Sequence, residues 1–128
     1  MPRANKYGRN SEHNHQAAIF EWAQFAETIW PQLKLLHSIP NGANVGARGG
    51  AMLNREGRRK GVPDICLPVA RGGFHGLYIE LKKDTVSKPS KEQEWWMDAL
   101  HGEGYQALLC VGSNEAIDAI EAYMKAEL

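Results

Sequence analysis

The sequence predicts an α/β domain in which helices flank a mixed central β-sheet. Segments with helical and strand-like patterns alternate along the 128 residues, which are enough for one compact domain and too few for two. Two apolar runs separated by Arg71-Gly72-Gly73 are typical of a β-hairpin. The resulting order is helix, strand, loop, hairpin, helix, strand, helix, which is that of a domain built around a mixed sheet.

The N-terminal part of the chain predicts a helix. Residues 1–10 are polar and basic, and we expect them to form a flexible arm before a single domain over residues 11–128. Asn10 or Ser11 can cap a helix that runs to about Trp30. Its apolar residues recur at spacings of three and four, namely Ala18, Ile19, Trp22, Ala26 and Ile29.

The middle of the chain carries a loop and the hairpin. Residues 33–39 predict a strand, and residues 40–50 predict a loop because their glycines disfavour regular structure. A short helix is expected over residues 51–59. Residues 62–70 and 74–83 are the two predicted strands of the hairpin, and two prolines interrupt the first of them.

The C-terminal third predicts a helix, a strand and a second helix. Ser90 as N-cap, with Gln93 three residues later, has the spacing of a capping box and opens a helix through about His101. Residues 106–111 form an apolar strand. Ser113 is the expected cap of a final helix over residues 113–128.

The composition excludes several classes of protein. The chain is 43% hydrophobic and 23% charged, and no stretch approaches the roughly 20 apolar residues that span a bilayer, so no membrane partner is expected. The N-terminus lacks the apolar run of a secretory signal. We interpret Cys66 and Cys110 as buried free thiols of a cytoplasmic protein. No Gly-Lys-Ser/Thr follows the glycine-rich stretch, so no nucleotide cofactor is expected.

The net charge of zero hides an asymmetry. Residues 1–93 carry 14 Lys and Arg against 8 Asp and Glu, whereas residues 94–128 carry 1 against 7. Five basic residues lie close together in the loop-rich segment: Arg48, Arg55, Arg58, Arg59 and Lys60. Such a cluster suits a polyanion, because phosphate contacts supply most non-specific affinity for nucleic acid.

Two short motifs carry the chemistry, PDI at 63–65 and ELK at 80–82. In a strand, residues i and i+2 face the same side about 7 Å apart, so Glu80 and Lys82 project together. If the hairpin pairs as expected, Asp64 lies beside Glu80. Two carboxylates this close repel one another unless a cation lies between them, and hard oxygen ligands of this kind suit Mg²⁺.

This pairing implies a reaction class. A divalent ion held by Asp64 and Glu80 can bind a phosphate oxygen and activate a water molecule. Lys82 would then orient the nucleophile and stabilise the charge that develops at phosphorus. The sequence therefore predicts a metal-dependent nuclease, with Mg²⁺ or Mn²⁺ as the cofactor.

Each of these residues also has a purely structural interpretation. The helix dipole favours Glu12 at a helix N-terminus, and Asp64 after a proline can begin a turn. Glu80 and Lys82 can form a surface ion pair. The two motifs together, each within an apolar strand, favour a catalytic site over these structural roles. The histidines have no zinc-ligand spacing, and the tryptophans are expected in packing, with one of residues 95–96 at a subunit interface.

The pattern as a whole resembles a known family. A Pro-Asp, a hairpin and then Glu-x-Lys resembles the PD-(D/E)xK superfamily, whose members cleave DNA or RNA phosphodiesters with divalent metal. A longer series over about residues 11–112 resembles its VRR-NUC family: Glu12-x-x-x-Gln16, IPNG at 39–42, KGVPDI at 60–65, GLYIELK at 76–82, Ser90-x-x-Gln93 and Gly104-Tyr105.

The resemblance implies a restriction-endonuclease-like fold and action on branched, flapped or Holliday-junction DNA. For the stand-alone modules of phages and bacteria it also implies a homodimer. Metal ligation is implied for Asp64, Glu80, Glu12 and the backbone carbonyl of Leu81. Catalytic roles are implied for these carboxylates, for Lys82 and for Gln93. Substrate binding is assigned to the family positions Gln16 and Asn41 and to the basic residues Arg48, Arg58, Arg59 and Lys60.

Two other functions stay open from the sequence. One is a non-catalytic DNA-binding module on the same fold, against which the intact acidic pair and lysine speak. The other is an RNA nuclease. No pattern that reads bases is present, so no short recognition sequence is expected.

Overall fold

The structure, a computed structural model, describes residues 11–40 and 46–128. Within these ranges one mixed sheet has the strand order β1-β2-β3-β4, with β1 His37–Ser38, β2 Ile65–Leu67, β3 Leu77–Lys82 and β4 Gln106–Val111. The first two pairings are antiparallel, and β3 pairs with β4 in parallel. The described helices are α1 Glu12–Ala26, α2 Gly46–Arg55, α3 Lys91–Gly102 and α4 Gly112–Lys125. The predicted α/β fold with a mixed sheet is confirmed.

The hydrophobic core lies on one face of the sheet, beneath α1 and α4. Alternate residues of β3, namely Leu77, Ile79 and Leu81, are buried there because successive side chains of a strand point to opposite faces. Ile19 of α1 and Ile120 of α4 belong to the same cluster. The intervening residues of β3 therefore face the other side of the sheet, where α3 packs beside β4.

The predicted hairpin is present. Ile65 pairs with Ile79 and Leu67 with Leu77, and residues 71–74 form the turn. Its first strand is shorter than the predicted 62–70, because proline has no N–H for the ladder and prolines flank β2 on both sides.

The strand predicted over residues 33–39 is wrong. Pro31–Leu35 is a 3₁₀ helix, and only His37–Ser38 pair as a strand. Proline at the first helical position favours this turn, and the two buried leucines, Leu33 and Leu36, are three residues apart, which is a helical spacing.

Three helix boundaries also differ from the prediction. α1 ends at Ala26, before Trp30. α2 begins at Gly46, inside the segment predicted to be an irregular loop, because glycine lowers helix propensity without forbidding a helix. Ser113 is not the cap of α4, since Val111 holds that position and the Ser113 N–H donates to His15 Nδ1 at 3.1 Å. The caps Ser11 and Ser90 are confirmed.

Two further expectations concern thiols and membranes. Cys66 and Cys110 are buried and free, as predicted. None of the described helices combines the length and the apolar composition that a bilayer span requires. The arm predicted over residues 1–10 lies outside the described residues.

Candidate active site

A polar cavity of about 360 Å³ lies on the second face of the sheet, at the carboxyl end of β3. Its lining combines residues from α1, the segment before β2, β3 and the start of α3: Glu12, Lys60, Gly61, Val62, Asp64, Glu80, Lys82, Ser90 and Gln93. All five side chains predicted to be catalytic therefore line one cavity.

The acidic pair meets across the hairpin. The register that pairs Ile65 with Ile79 continues to Asp64 opposite Glu80. Asp64 Oδ2 accepts a hydrogen bond from the Leu81 backbone N–H at 2.8 Å, which fixes the carboxylate against β3. The two carboxyl groups are close enough for one to hydrogen-bond the other when one of them is protonated.

Burial makes this pair electrostatically unfavourable when both groups are ionised. Glu80 is only 2% exposed, and burial, followed by the charge of Asp64, raises its pKa from 4.5 to about 8 although Lys82 opposes the shift. Burial also raises the pKa of Asp64, against the Leu81 N–H. Glu80 Oε1 is buried and has no hydrogen-bond partner among the described residues.

Gln93 connects the second Glu80 oxygen with the lysine. Its Nε2 donates to Glu80 Oε2 at 2.9 Å, and its Oε1 accepts from Lys82 Nζ at 3.0 Å. The Ser90 backbone N–H also donates to that Oε1, at 2.8 Å, within the capping box of α3. Lys82 Nζ lies 3.5 Å from Glu80 Oε2. The cap of α3 thus fixes which way the Gln93 amide points.

Glu12 borders the acidic pair from α1. It is the first residue after the Ser11 cap. Burial first, and then the charge of Asp64, raises the pKa of Glu12. Within residues 11–40 and 46–128, no group of three or more His, Cys, Asp or Glu side chains is placed so that it could hold a metal ion. The charge of Asp64 is thus the contact of Glu12 with the pair that the pKa shift reflects.

Gly61 brings the segment before Asp64 against the start of α3. Its φ is +95°, and a Cβ atom at this position would lie 2.6 Å from the backbone carbonyl carbon of Glu92. Only glycine fits such an approach without a shift of the backbone. Gly61 and Ser90 line the cavity without having been predicted as site residues, although both belong to sequence motifs, KGVPDI and Ser90-x-x-Gln93.

The predicted substrate-binding residues are not all at the cavity. Lys60 lines it, and Gln16 lies on α1 one turn after Glu12 but is not among the lining residues. Asn41 lies outside the described residues. The other basic residues belong to α2 or follow it.

No residue of α2 is buried, so this helix presents its side chains to solvent. Arg48 and Arg59 are exposed. Arg58 instead donates to Asn54 Oδ1 at 3.1 Å and to the Gly50 carbonyl at 3.4 Å, which ties the following turn to the helix.

An α/β domain with an acidic pair and a lysine at one end of a mixed sheet has the features of a nuclease-type domain. The family model for the VRR-NUC domain matches residues 7–114, and the chain belongs to this family. A solved structure described as a VRR_NUC domain protein is 29% identical, with a TM-score of 0.79 over 94% of this chain and 92% of that chain. No curated protein matches the sequence. Family membership supports a nuclease role in DNA processing.

Proposed function

We propose that this protein is an endonuclease that hydrolyses DNA phosphodiester bonds with Mg²⁺ or Mn²⁺. The observation that carries the proposal is Glu80 Oε1, which is buried and has no hydrogen-bond partner among the described residues, in a carboxyl group that lies next to that of Asp64. A buried carboxylate oxygen without a partner is unfavourable. A cation between the two carboxylates would relieve both the burial and the mutual repulsion.

The residues present fit a hard divalent ion. Mg²⁺ commonly binds proteins through one or two carboxylates and keeps several waters, so Asp64 and Glu80 are a sufficient protein ligand set. Glu12 and the backbone carbonyl of Leu81 are the further ligands predicted from the sequence. When bound, such an ion supplies Lewis-acid polarisation of a phosphate oxygen and eases deprotonation of the attacking water.

Lys82 places a positively charged side chain in the cavity. Its ammonium group is held by Gln93 Oε1 at 3.0 Å and lines the same cavity as the acidic pair. An ammonium fixed in this way would bind a phosphate oxygen and stabilise the charge that develops in the transition state. Lys60, at the cavity edge, would contact a neighbouring phosphate of the strand.

We further propose that the substrate is branched DNA and that the active form is a homodimer in the cytoplasm. The exposed arginines of α2 favour contacts with phosphates beyond the cavity. Trp95 is 64% exposed beside Trp96, as expected for packing against a second copy. Light scattering should give twice the chain mass at micromolar concentration, and a monomer would refute the dimer.

The test of the activity compares labelled duplex, flap, four-way junction and single-stranded DNA, and RNA, in Mg²⁺, Mn²⁺ or EDTA. We expect metal-dependent cleavage that is fastest on branched DNA. Lys82→Ala should lose turnover and keep most of its DNA affinity, because its charge matters more to the transition state than to binding of the whole DNA. Lys83→Ala is the matched control, because Lys83 is the adjacent lysine and is exposed.

Three outcomes would contradict the proposal. DNA binding without cleavage in any metal would indicate a binding module. Faster cleavage of RNA than of DNA would indicate an RNA nuclease. Equal loss of turnover in the two lysine variants would show that Lys82 has no special place in the reaction.

A further inference from the structure

Three aromatic rings form a continuous strip on the face of the sheet that carries the cavity. Tyr78 of β3 and Tyr105, just before β4, meet edge to face with ring centroids 5.6 Å apart. His75 meets Tyr105 in the same way at 5.8 Å. The two tyrosines are half-buried and the histidine is exposed. We call Tyr78, Tyr105 and His75 the aromatic strip.

The aromatic strip begins next to the acidic pair. Tyr78 lies two residues before Glu80 on the same strand, so the two side chains point to the same face about 7 Å apart along β3. Cys66 is the register partner of Tyr78 across the hairpin, so its side chain lies beside that of Tyr78 on the same face of the sheet. The strip therefore continues the cavity towards the amino end of β3.

Two glycines give the aromatic strip its close packing. A Cβ atom at Gly104, where φ is +91°, would lie 2.6 Å from the His75 ring, and one at Gly76 would lie 3.3 Å from the Tyr105 ring. The His75 backbone N–H also donates to the Gly104 carbonyl at 2.9 Å. The His75 and Tyr105 rings therefore pack directly against the backbone at two glycines.

We propose that the aromatic strip binds unpaired nucleotides of the DNA strand that leaves the catalytic cavity. The proposal rests on the nuclease function argued above. The aromatic strip suits bases rather than phosphates, because aromatic rings stack on bases without sequence preference. A duplex presents its phosphates outward and keeps its bases paired. Only an unpaired strand presents free bases to these rings, so the aromatic strip would contact the single-stranded arm of the branched DNA proposed above.

The experiment measures the affinity of the full chain for two DNAs in EDTA. One is a blunt duplex, and the other is the same duplex with a single-stranded arm that contains 2-aminopurine. Tyr105→Leu keeps an apolar side chain and removes the ring. It should weaken binding of the armed DNA about tenfold relative to the blunt duplex and abolish quenching of the 2-aminopurine. Tyr105→Phe should retain both properties, since it keeps the ring.

Controls separate the aromatic strip from protein stability and from the nuclease function. Phe25→Leu removes a ring that is 77% exposed on α1. It should leave unchanged the affinity ratio, which is the affinity for the armed DNA divided by that for the blunt duplex. If Tyr105→Leu does not fold, His75→Ala, at an exposed position, should still lower the ratio. An unchanged ratio in the folded variants overturns the proposal. Wild-type metal-dependent cleavage of either DNA tests the nuclease function separately.

Discussion

Replacement of Glu80 by glutamine is expected to stabilise the metal-free protein at neutral and alkaline pH. Burial, then the charge of Asp64, raises the pKa of Glu80 from 4.5 to about 8 in the folded state. The folded protein thus keeps a proton that the unfolded chain has released. The stability that this group contributes is fully present below about pH 4.5 and is lost as the pH rises through about 8.

The size of the effect follows from the interval between the two pKa values. Each pH unit between 4.5 and about 8 removes about 1.4 kcal/mol from the free energy of unfolding, which gives about 4–5 kcal/mol in all. Typical domains are stable by about 5–15 kcal/mol, so this loss is large. Glutamine has nearly the same shape and does not titrate. Its carbonyl oxygen can still accept the hydrogen bond that Gln93 Nε2 gives to Glu80 Oε2.

The assay is urea unfolding in EDTA, followed by tryptophan fluorescence over a series of pH values. Glu80→Gln and wild type should differ little near about pH 5, and the variant should be about 3–4 kcal/mol more stable near about pH 8. Glu56→Gln makes the same change at an exposed position and should follow the wild-type profile. Addition of Mg²⁺ should stabilise wild type more than Glu80→Gln, because only wild type keeps both carboxylates.

A Glu80→Gln protein that is no more stable than wild type near about pH 8 in EDTA would refute this reasoning. It would mean that Lys82 and Gln93 already compensate the ionised carboxylate fully. The buried Oε1 atom would then not favour a cation, and the main physical support for the metal site would be lost.

Three further predictions concern the scaffold of the site and the thiols. Gly61→Ala should lower the free energy of unfolding by about 3–5 kcal/mol, because it adds both backbone strain and overlap with α3. Gly57→Ala is the control: Gly57 has φ +111° but open space around it, so this variant should lose only about 1–2 kcal/mol, and equal losses in urea unfolding would contradict the prediction. Ser90→Ala removes the hydroxyl that accepts from the Gln93 backbone N–H and should lower stability by about 1 kcal/mol. Because this loosens the first turn of α3, which carries the Gln93 side chain, kcat should fall about tenfold, and Ser90→Thr should restore both; a threonine variant no better than alanine would reject a role for the cap. Burial raises the pKa of both thiols and takes that of Cys110 to about 11. Alkylation of Cys110 in the native protein, followed by mass spectrometry, should therefore be about 100-fold slower than in the unfolded chain, and that of Cys66 should also be slower; equal rates would disprove the burial of these thiols.

Local patterns predicted those parts of the fold that depend on local interactions. The α3 cap follows from the spacing of Ser90 and Gln93, and the boundaries of β4 follow from one apolar run. The 3₁₀ helix at Pro31–Leu35 and the extent of α2 were not predicted, because short apolar or glycine-rich segments fit more than one structure. Tertiary packing decides between those structures, and a sequence pattern does not contain it.

In the candidate site, too, some features follow from local sequence patterns and others depend on tertiary packing. Strand alternation and the hairpin predicted that Asp64, Glu80 and Lys82 share one face, and the structure places them in one cavity. The prediction that Asp64 lies opposite Glu80 depended on the hairpin, and the hairpin is present. The contact of Gly61 with α3 is between segments about 30 residues apart, and no local signal encodes it.

The hydrogen bonds of Gln93 link the cap of α3 to the candidate active site. The Ser90 N–H and Lys82 Nζ both donate to Gln93 Oε1, so Nε2 must face Glu80 and donate to Oε2. The positive end of the α3 dipole lies on the same side and favours the same negative charge. Donors are therefore concentrated on Oε2 of Glu80, while Oε1 receives none from the described residues. A carboxylate that only had to be stable inside the protein would gain from donors on both oxygens. The one-sided arrangement is the one expected if the second oxygen is kept for a cation, and it connects the cap of α3 directly with the chemistry of the site.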